Sequence, residues 1–113
     1  MSIAPRVEAR PKNWLEPLVL ASLREHESYG YELMQQLAKF GAETPNPGTL
    51  YRTLRRMERE GLCTSEWETP KKGPARRRYS VTDAGEAYLD LWVKALEQYQ
   101  QSVNNFFRLY TNK

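Results

Sequence analysis

Thr49, Arg52, Thr53 and Arg56 stand at i, i+3, i+4 and i+7 in the stretch NPGTLYRTLRRMEREGL. On an α-helix that spacing gathers four hydrogen-bonding side chains on one face. Arginine can grip guanine bidentately, and threonine offers a hydroxyl to a base edge or its methyl to thymine. The chemistry such a set can do is recognition of a nucleic-acid edge, not bond making. Gly48 lies in the first turn, where the lack of a side chain lets a phosphate approach the free N–H groups of the helix start. Tyr51 stands beside the apolar seam, and its hydroxyl suits a phosphate or a core cap equally well. Arg55 and Arg59 are expected to be solvated and paired with Glu58 or Glu60.

A second basic group lies in PKKGPARRR. Lys71, Lys72, Arg76 and Arg78 can reach flanking phosphates or a minor groove, contacts that position a protein without reading sequence. Arg77 alternates to the opposite side and is expected to pack its stem on the protein. Residues 47–81 carry nine Lys or Arg against four acids, a local +5 in a chain of net +3, so the remainder sums to −2. A basic middle between mildly acidic flanks implies one face built for an anion.

Catalysis finds little material. The 113 residues contain one histidine, His26, and one cysteine, Cys63, with no metal-ligand spacing and no phosphate loop. Glu58 and Glu60 face different sides of their helix, so they are no acid–base couple. No enzyme, metal or cofactor is expected. A lone Cys63 cannot form an internal disulfide; it is expected to be buried, in keeping with a reducing, cytoplasmic setting. No apolar run reaches the ~18 residues of a membrane span.

The elements that must hold these residues follow from periodicity. Residues 1–12 are polar and proline-interrupted, an expected flexible arm. Asn13 is the expected N-cap of a first helix carrying Trp14, Leu18 and Leu23, with Pro17 tolerated in its first turn. Tyr31, Leu33, Met34, Leu37 and Phe40 make a second amphipathic helix, which Gly41 should end. Asn46 caps a third helix with Pro47 at its first position, and Leu50, Leu54 and Met57 form its apolar stripe until Gly61. The period then changes to two. LCTSEWET and RRRYSVT read as strands joined by PKKGPA, with Trp67 expected in the core. Thr82 or Asp83 caps a last, long helix. The predicted fold class is mainly α with a small β-hairpin (α+β). In outline it is a winged helix-turn-helix over 13–82, followed by a C-terminal dimerisation helix over 83–113.

The segments YGYELMQQL, PGTLYRTLRRMEREGL and PARRRYSVTDAGEAYLDLW resemble the PadR-type winged-helix transcriptional regulators. The likeness runs from about Trp14 to the chain end. Many relatives have proline after the tyrosine of the Gly-Thr-Leu-Tyr run; Arg52 stands there here. The single C-terminal helix is similar to that of the compact subfamily. GPARRRYSVTDAGEAYL with QYQQSVNNFF further resembles repressors responsive to polyhydroxybutyrate. The resemblance implies a repressor that binds double-stranded DNA as a homodimer, with a polymer-related input in that narrower branch.

Leu89, Trp92, Leu96, Tyr99, Val103, Phe106 and Tyr110 follow spacings of 3, 4, 3, 4, 3, 4 on the last helix. A small domain cannot cover a helix about 42 Å long, so this seam, with Trp14 and Leu18 of the first helix, is the predicted two-fold interface. Two recognition helices about 34 Å apart would then read a pseudo-palindromic operator. Trp14 and Trp92 are candidate walls of an effector pocket for a small hydrophobic compound, a use that the resemblance implies for Trp92; plain dimer core is the simpler role. Two rival classes are a winged-helix protein-interaction module and a single-strand or RNA binder. The second needs exposed aromatics among the basic residues, for which Tyr51 and Tyr79 qualify.

Overall fold

The computed structural model describes residues 7, 9–40 and 46–112. Its elements, in order, are α1 (Leu15–Glu25), β1 (Ser28–Tyr29), α2 (Gly30–Lys39), α3 (Pro47–Arg59), β2 (Cys63–Glu68), β3 (Arg76–Val81) and α4 (Asp83–Thr111). The fold is mainly helical with a small antiparallel sheet, the winged-helix arrangement that the sequence predicts. Most of the N-terminal arm, and Gly41 as the stop of α2, lie outside the described residues.

One apolar side of each helix meets at a single core. Val19, Leu20 and Leu23 of α1, Leu33 and Leu37 of α2, and Leu50, Leu54 and Met57 of α3 are buried there with Cys63, Tyr79 and Leu89. Each such side chain contributes ~1.5–3 kcal/mol on burial, so the three-helix contact is the main source of stability. Burial pushes the Cys63 thiol up to about 11, with Glu58 adding to the effect.

The sheet corrects the expected hairpin. Ser28–Tyr29 adds a third strand, in the order β1-β3-β2, with Ser28 opposite Tyr79 and Tyr29 opposite Arg78. Two residues carry no alternation to detect, so only tertiary pairing reveals them. Trp67 is also corrected: it is 65% exposed, on the same face of β2 as the buried Cys63 but toward the other end of the strand, beyond the core. The cap of α1 shifts too. Trp14 is the N-cap, while Asn13 sits in the left-handed region at φ 61 and its carbonyl accepts from the Glu16 N–H at 3.1 Å. Asparagine is among the few residues that adopt this conformation readily.

Two junctions fix α3 against α4. After α3, the Leu62 N–H donates to the Met57 carbonyl at 2.9 Å and the Gly61 N–H to Glu58 at 3.1 Å, with Gly61 at φ 78. This paired closure satisfies the last carbonyls of the helix. Thr82 caps α4, its Oγ1 accepting from the Gly85 N–H at 3.0 Å and donating to the Gly61 carbonyl at 2.6 Å. That resolves the choice between Thr82 and Asp83. A Cβ at Gly85 would collide with the Leu62 carbonyl, which is why the helix start can press so close.

α4 is 29 residues, about 43 Å at 1.5 Å per residue. Only its first two turns touch the core. Leu89 is buried within its own chain, against the α1 side of the core. Trp92, Leu96 and Val103 are half-buried, whereas Tyr99, Phe106, Phe107, Leu109 and Tyr110 are exposed. No described helix is long and apolar enough to cross a membrane.

Candidate nucleic-acid interface

α3 carries the recognition candidates. The Asn46 side chain accepts from the Gly48 N–H at 2.7 Å, so the cap forms as the sequence predicts and the first turn is fixed. With Leu50, Leu54 and Met57 inward, Thr49 and Arg52 are exposed and Thr53 is half-buried. Arg52 donates to Thr49 Oγ1 at 3.2 Å, which links the two side chains across one turn. Thr49, Arg52, Thr53, Arg55, Arg56 and Arg59 line one shallow surface.

Three arginines differ from expectation. Arg56 is held by its own protein. Its Nη1 donates to Glu16 Oε2 at 2.7 Å and to Glu60 Oε1 at 3.4 Å, and the hydrogen bond to Glu16 raises its pKa further. Arg55 and Arg59 are not paired with Glu58 or Glu60. Glu60 is engaged by Arg56, and Glu58 accepts from Ser65 Oγ at 2.8 Å. Arg55 and Arg59 are exposed and make no ion pair among the described residues. Their directions were legible: at about 100° per residue, 52 and 59 lie opposite the 50/54/57 stripe, 55 and 56 stand about equally far from it on either side, and 53 turns toward its flank.

Glu16 was missed, although its place was readable. It occupies the i position of the buried 16/20/23 series, where a core leucine would sit. It is 4% exposed and also accepts from the Tyr88 hydroxyl at 3.1 Å. Burial and that bond to Glu16 raise the Tyr88 pKa, while a hydrogen bond from Trp92 opposes the shift. One buried carboxylate thus joins α1, the recognition helix and α4.

The wing is braced before any partner arrives. In the β2–β3 register Glu66 faces Arg78, Trp67 faces Arg77 and Glu68 faces Arg76. Arg78 is committed to Glu68 at 3.1 Å and Glu27 at 3.3 Å, so its charge is largely neutralised internally. Arg77 stacks over Trp67 at 5.0 Å, as expected of a packed stem, though the surface it covers is an exposed ring. Arg76 lies 4.0 Å over the Tyr29 ring and donates to the Tyr31 hydroxyl at 3.3 Å. Lys71 and Lys72 are exposed at the tip, where Gly73 adopts φ 100. Among the described residues, the tip and the outer surface of α3 concentrate cations that no carboxylate neutralises.

The sequence profile of the transcriptional regulator PadR-like family matches residues 19–91, which span α1 to the start of α4. The chain belongs to the PadR-like family. It is similar to the transcriptional regulator Rv3488 of Mycobacterium tuberculosis, with 40% identity over 85 residues, 75% of this chain and 78% of that one. Among solved structures it is similar to a PadR-like transcriptional regulator from Bacillus cereus, at 32% identity and TM-score 0.75, over 86% of this chain and 94% of that one. A PadR family transcription regulator from Clostridium difficile gives TM-score 0.76 at 26% identity, over 84% and 99%. PadR-like proteins are DNA-binding transcriptional regulators rather than enzymes, and this chain is one of them. Among the described residues no group of three or more His, Cys, Asp or Glu could hold a metal ion.

Proposed function

We propose that this PadR-like regulator is a homodimeric repressor that binds a pseudo-palindromic duplex operator and leaves it when an effector binds. The observation that carries the reading is the outward set on α3. Arg52, Arg55 and Arg59 project away from the core next to Thr49 and Gly48, and the Lys71–Lys72 tip adds charge one element away. Arg52 and Thr49 read bases, Gly48 admits a phosphate, and the wing lysines hold the flanking backbone. Thr53 and Tyr51 border that surface. Arg56 contributes mainly by fixing α3 through Glu16, and Arg76 and Arg78 by stiffening the wing.

The exposed seam on α4 supports the dimer. Phe106, Phe107 and Tyr110 form an aromatic cluster on a helix end that no part of the described chain covers, with centroids of 5.4 and 6.4 Å. Trp92, Leu96, Tyr99 and Val103 continue it toward the domain. A second copy of the same helix buries such a seam at ~1.5–3 kcal/mol per large side chain before entropic cost. Trp14 and Leu18 border this interface, and Leu89 anchors α4 to its own domain at the inner end.

An effector acting at Trp92 or Trp14 has a physical route to DNA. Trp92 touches Tyr88, Tyr88 donates to Glu16, and Glu16 holds Arg56. A ligand that binds the two settings of this chain with different affinity shifts α3 relative to the dimer axis. A small hydrophobic ligand fits the tryptophan walls; the polyhydroxybutyrate-linked input rests on the QYQQSVNNFF likeness. Selection from random duplexes with the purified protein tests the reading. An inverted repeat is expected. Recovery of no sequence, with protein partners still captured through the winged domain, would favour an interaction module instead.

A further inference from the structure

α4 carries more apolar surface at its far end than a partner helix covers. At about 100° per residue, Leu109, Phe106, Tyr110, Val103 and Phe107 spread over an arc of about 160°. The proposed seam takes the middle of that arc, through Val103, Phe106 and Tyr110. A coiled-coil seam is a narrow stripe, so Leu109 on one flank and Phe107 on the other stay in water after a second copy has docked. They are 77% and 56% exposed within the single chain. Arg108 lies on the opposite side of the helix from the middle of the arc.

The chain itself runs toward this end. Residues 12–14 form a turn ahead of α1, with Asn13 at φ 61. Beyond the turn the arm passes along α4. Glu16 meets Tyr88, and seven residues earlier the Ala9 carbonyl accepts from the Tyr99 hydroxyl at 3.4 Å. Arg10, beside Ala9, is engaged rather than free. About 16 Å of helix is thus passed at about 2.4 Å per residue of arm, well within the ~3.3 Å that an extended chain can span. At the same pace Ile3 comes level with residues 107–109. The sequence before Ala9 suits that path. Ile3, Pro5 and Val7 alternate with Ser2, Ala4, Arg6 and Glu8, so an extended segment presents one apolar side. Pro5 brings no N–H to leave unpaired on an apolar surface. Val7 is 80% exposed, an apolar side chain that the described chain leaves uncovered.

We propose that residues 1–8 form a strap on the aromatic end of α4 of the same chain, with Ile3 and Val7 covering a flank that a partner helix leaves open. Residues 1–6 and 8 lie outside the described residues, and the strap gives them this place. The tether at Ala9 favours this occupant over any free one. It holds the segment beside the helix at an effective concentration that a separate molecule does not reach, so a modest apolar contact suffices. The strap goes beyond the proposed dimer and does not depend on it, since the contact lies within one chain. Its effect is to steady the last three turns of α4, which otherwise stand clear of the domain.

Disulfide capture in the full-length protein tests the strap. In a Cys63→Ala background, Ile3→Cys is combined with Phe107→Cys, Leu109→Cys or Arg108→Cys and exposed to oxidised glutathione. Mixing isotope-labelled and unlabelled protein before oxidation separates links within a chain from links between chains. A link within one chain is expected to form at least about tenfold faster at one of the two flank positions than at Arg108, because a disulfide needs Cα atoms within about 7 Å. Equal rates at all three positions overturn the strap, and so do links that form only between chains. Deleting residues 2–8 is the second arm of the test. The core begins at Val19, so the deletion leaves it intact, and thermal midpoints check this. Amide exchange across residues 103–111 should speed by at least about threefold in the deletion variant, compared at the same oligomeric state. Unchanged exchange overturns the strap. A link within one chain in a protein that sediments as a monomer keeps the strap and overturns the proposed dimer.

Discussion

Glu16→Gln keeps the shape of a buried side chain and removes its charge. The wild-type carboxylate accepts from Arg56 at 2.7 Å and from Tyr88 at 3.1 Å. A hydrogen bond to a charged group is worth ~1.5–3 kcal/mol, and the Arg56 side chain is 39% exposed, so water recovers part of that loss. Glutamine can still accept from Tyr88. Glu16→Gln should therefore cost about 1.5 kcal/mol, and Glu16→Ala about 3 because it also leaves a cavity and an unpaired hydroxyl. At about 4–8 °C per kcal/mol for a domain near this size, the glutamine variant should melt roughly 6–12 °C lower. Urea unfolding of Glu16→Gln, Arg56→Gln and the double variant, at one protomer concentration, isolates the pair. A coupling of about 1–2 kcal/mol is expected. Additivity within ~0.3 kcal/mol would mean that Arg56 is free for DNA and that no α1–α3–α4 link exists.

Trp92→Glu or Phe106→Glu should convert the proposed dimer to monomer in sedimentation without lowering helix content; a dimer that persists puts the interface elsewhere. Gly85→Ala should destabilise by more than about 3 kcal/mol in urea unfolding, since its methyl meets the Leu62 carbonyl. Cys63 should resist iodoacetamide at neutral pH until the protein unfolds. Its folded pKa is raised, so above pH 9.0 the unfolded thiol ionises while the folded one keeps its proton until about 11. Stability should thus fall by about 2–3 kcal/mol as pH rises through that window, and the Cys63→Ala variant should lose this part of the slope.

Long-range partnerships separate what was readable from what was not. The α3 cap, its stripe and its stop were legible because Asn46, Pro47, Leu50, Leu54, Met57 and Gly61 act within one helix. The wing strands were legible from their period of two. The β1 strand and the exposure of Trp67 were not, because both depend on which element lies opposite. Arg56 shows the same limit at the site. Its helical position suggests an outward side chain, and only the approach of Glu16, 40 residues earlier, explains why it is held. The Arg55 and Arg59 directions were present in the sequence and were outweighed by the assumption of local pairing with glutamates.

Fluorescence anisotropy of the purified protein on a selected duplex and on a scrambled one, across a range of salt, tests the central claim most directly. With about eight phosphates neutralised per dimer, log K should fall against log salt with a slope of about −7 on both duplexes. The selected one should bind at least about a thousandfold tighter at physiological salt. A slope near zero, or equal affinity for the two duplexes, would contradict the account.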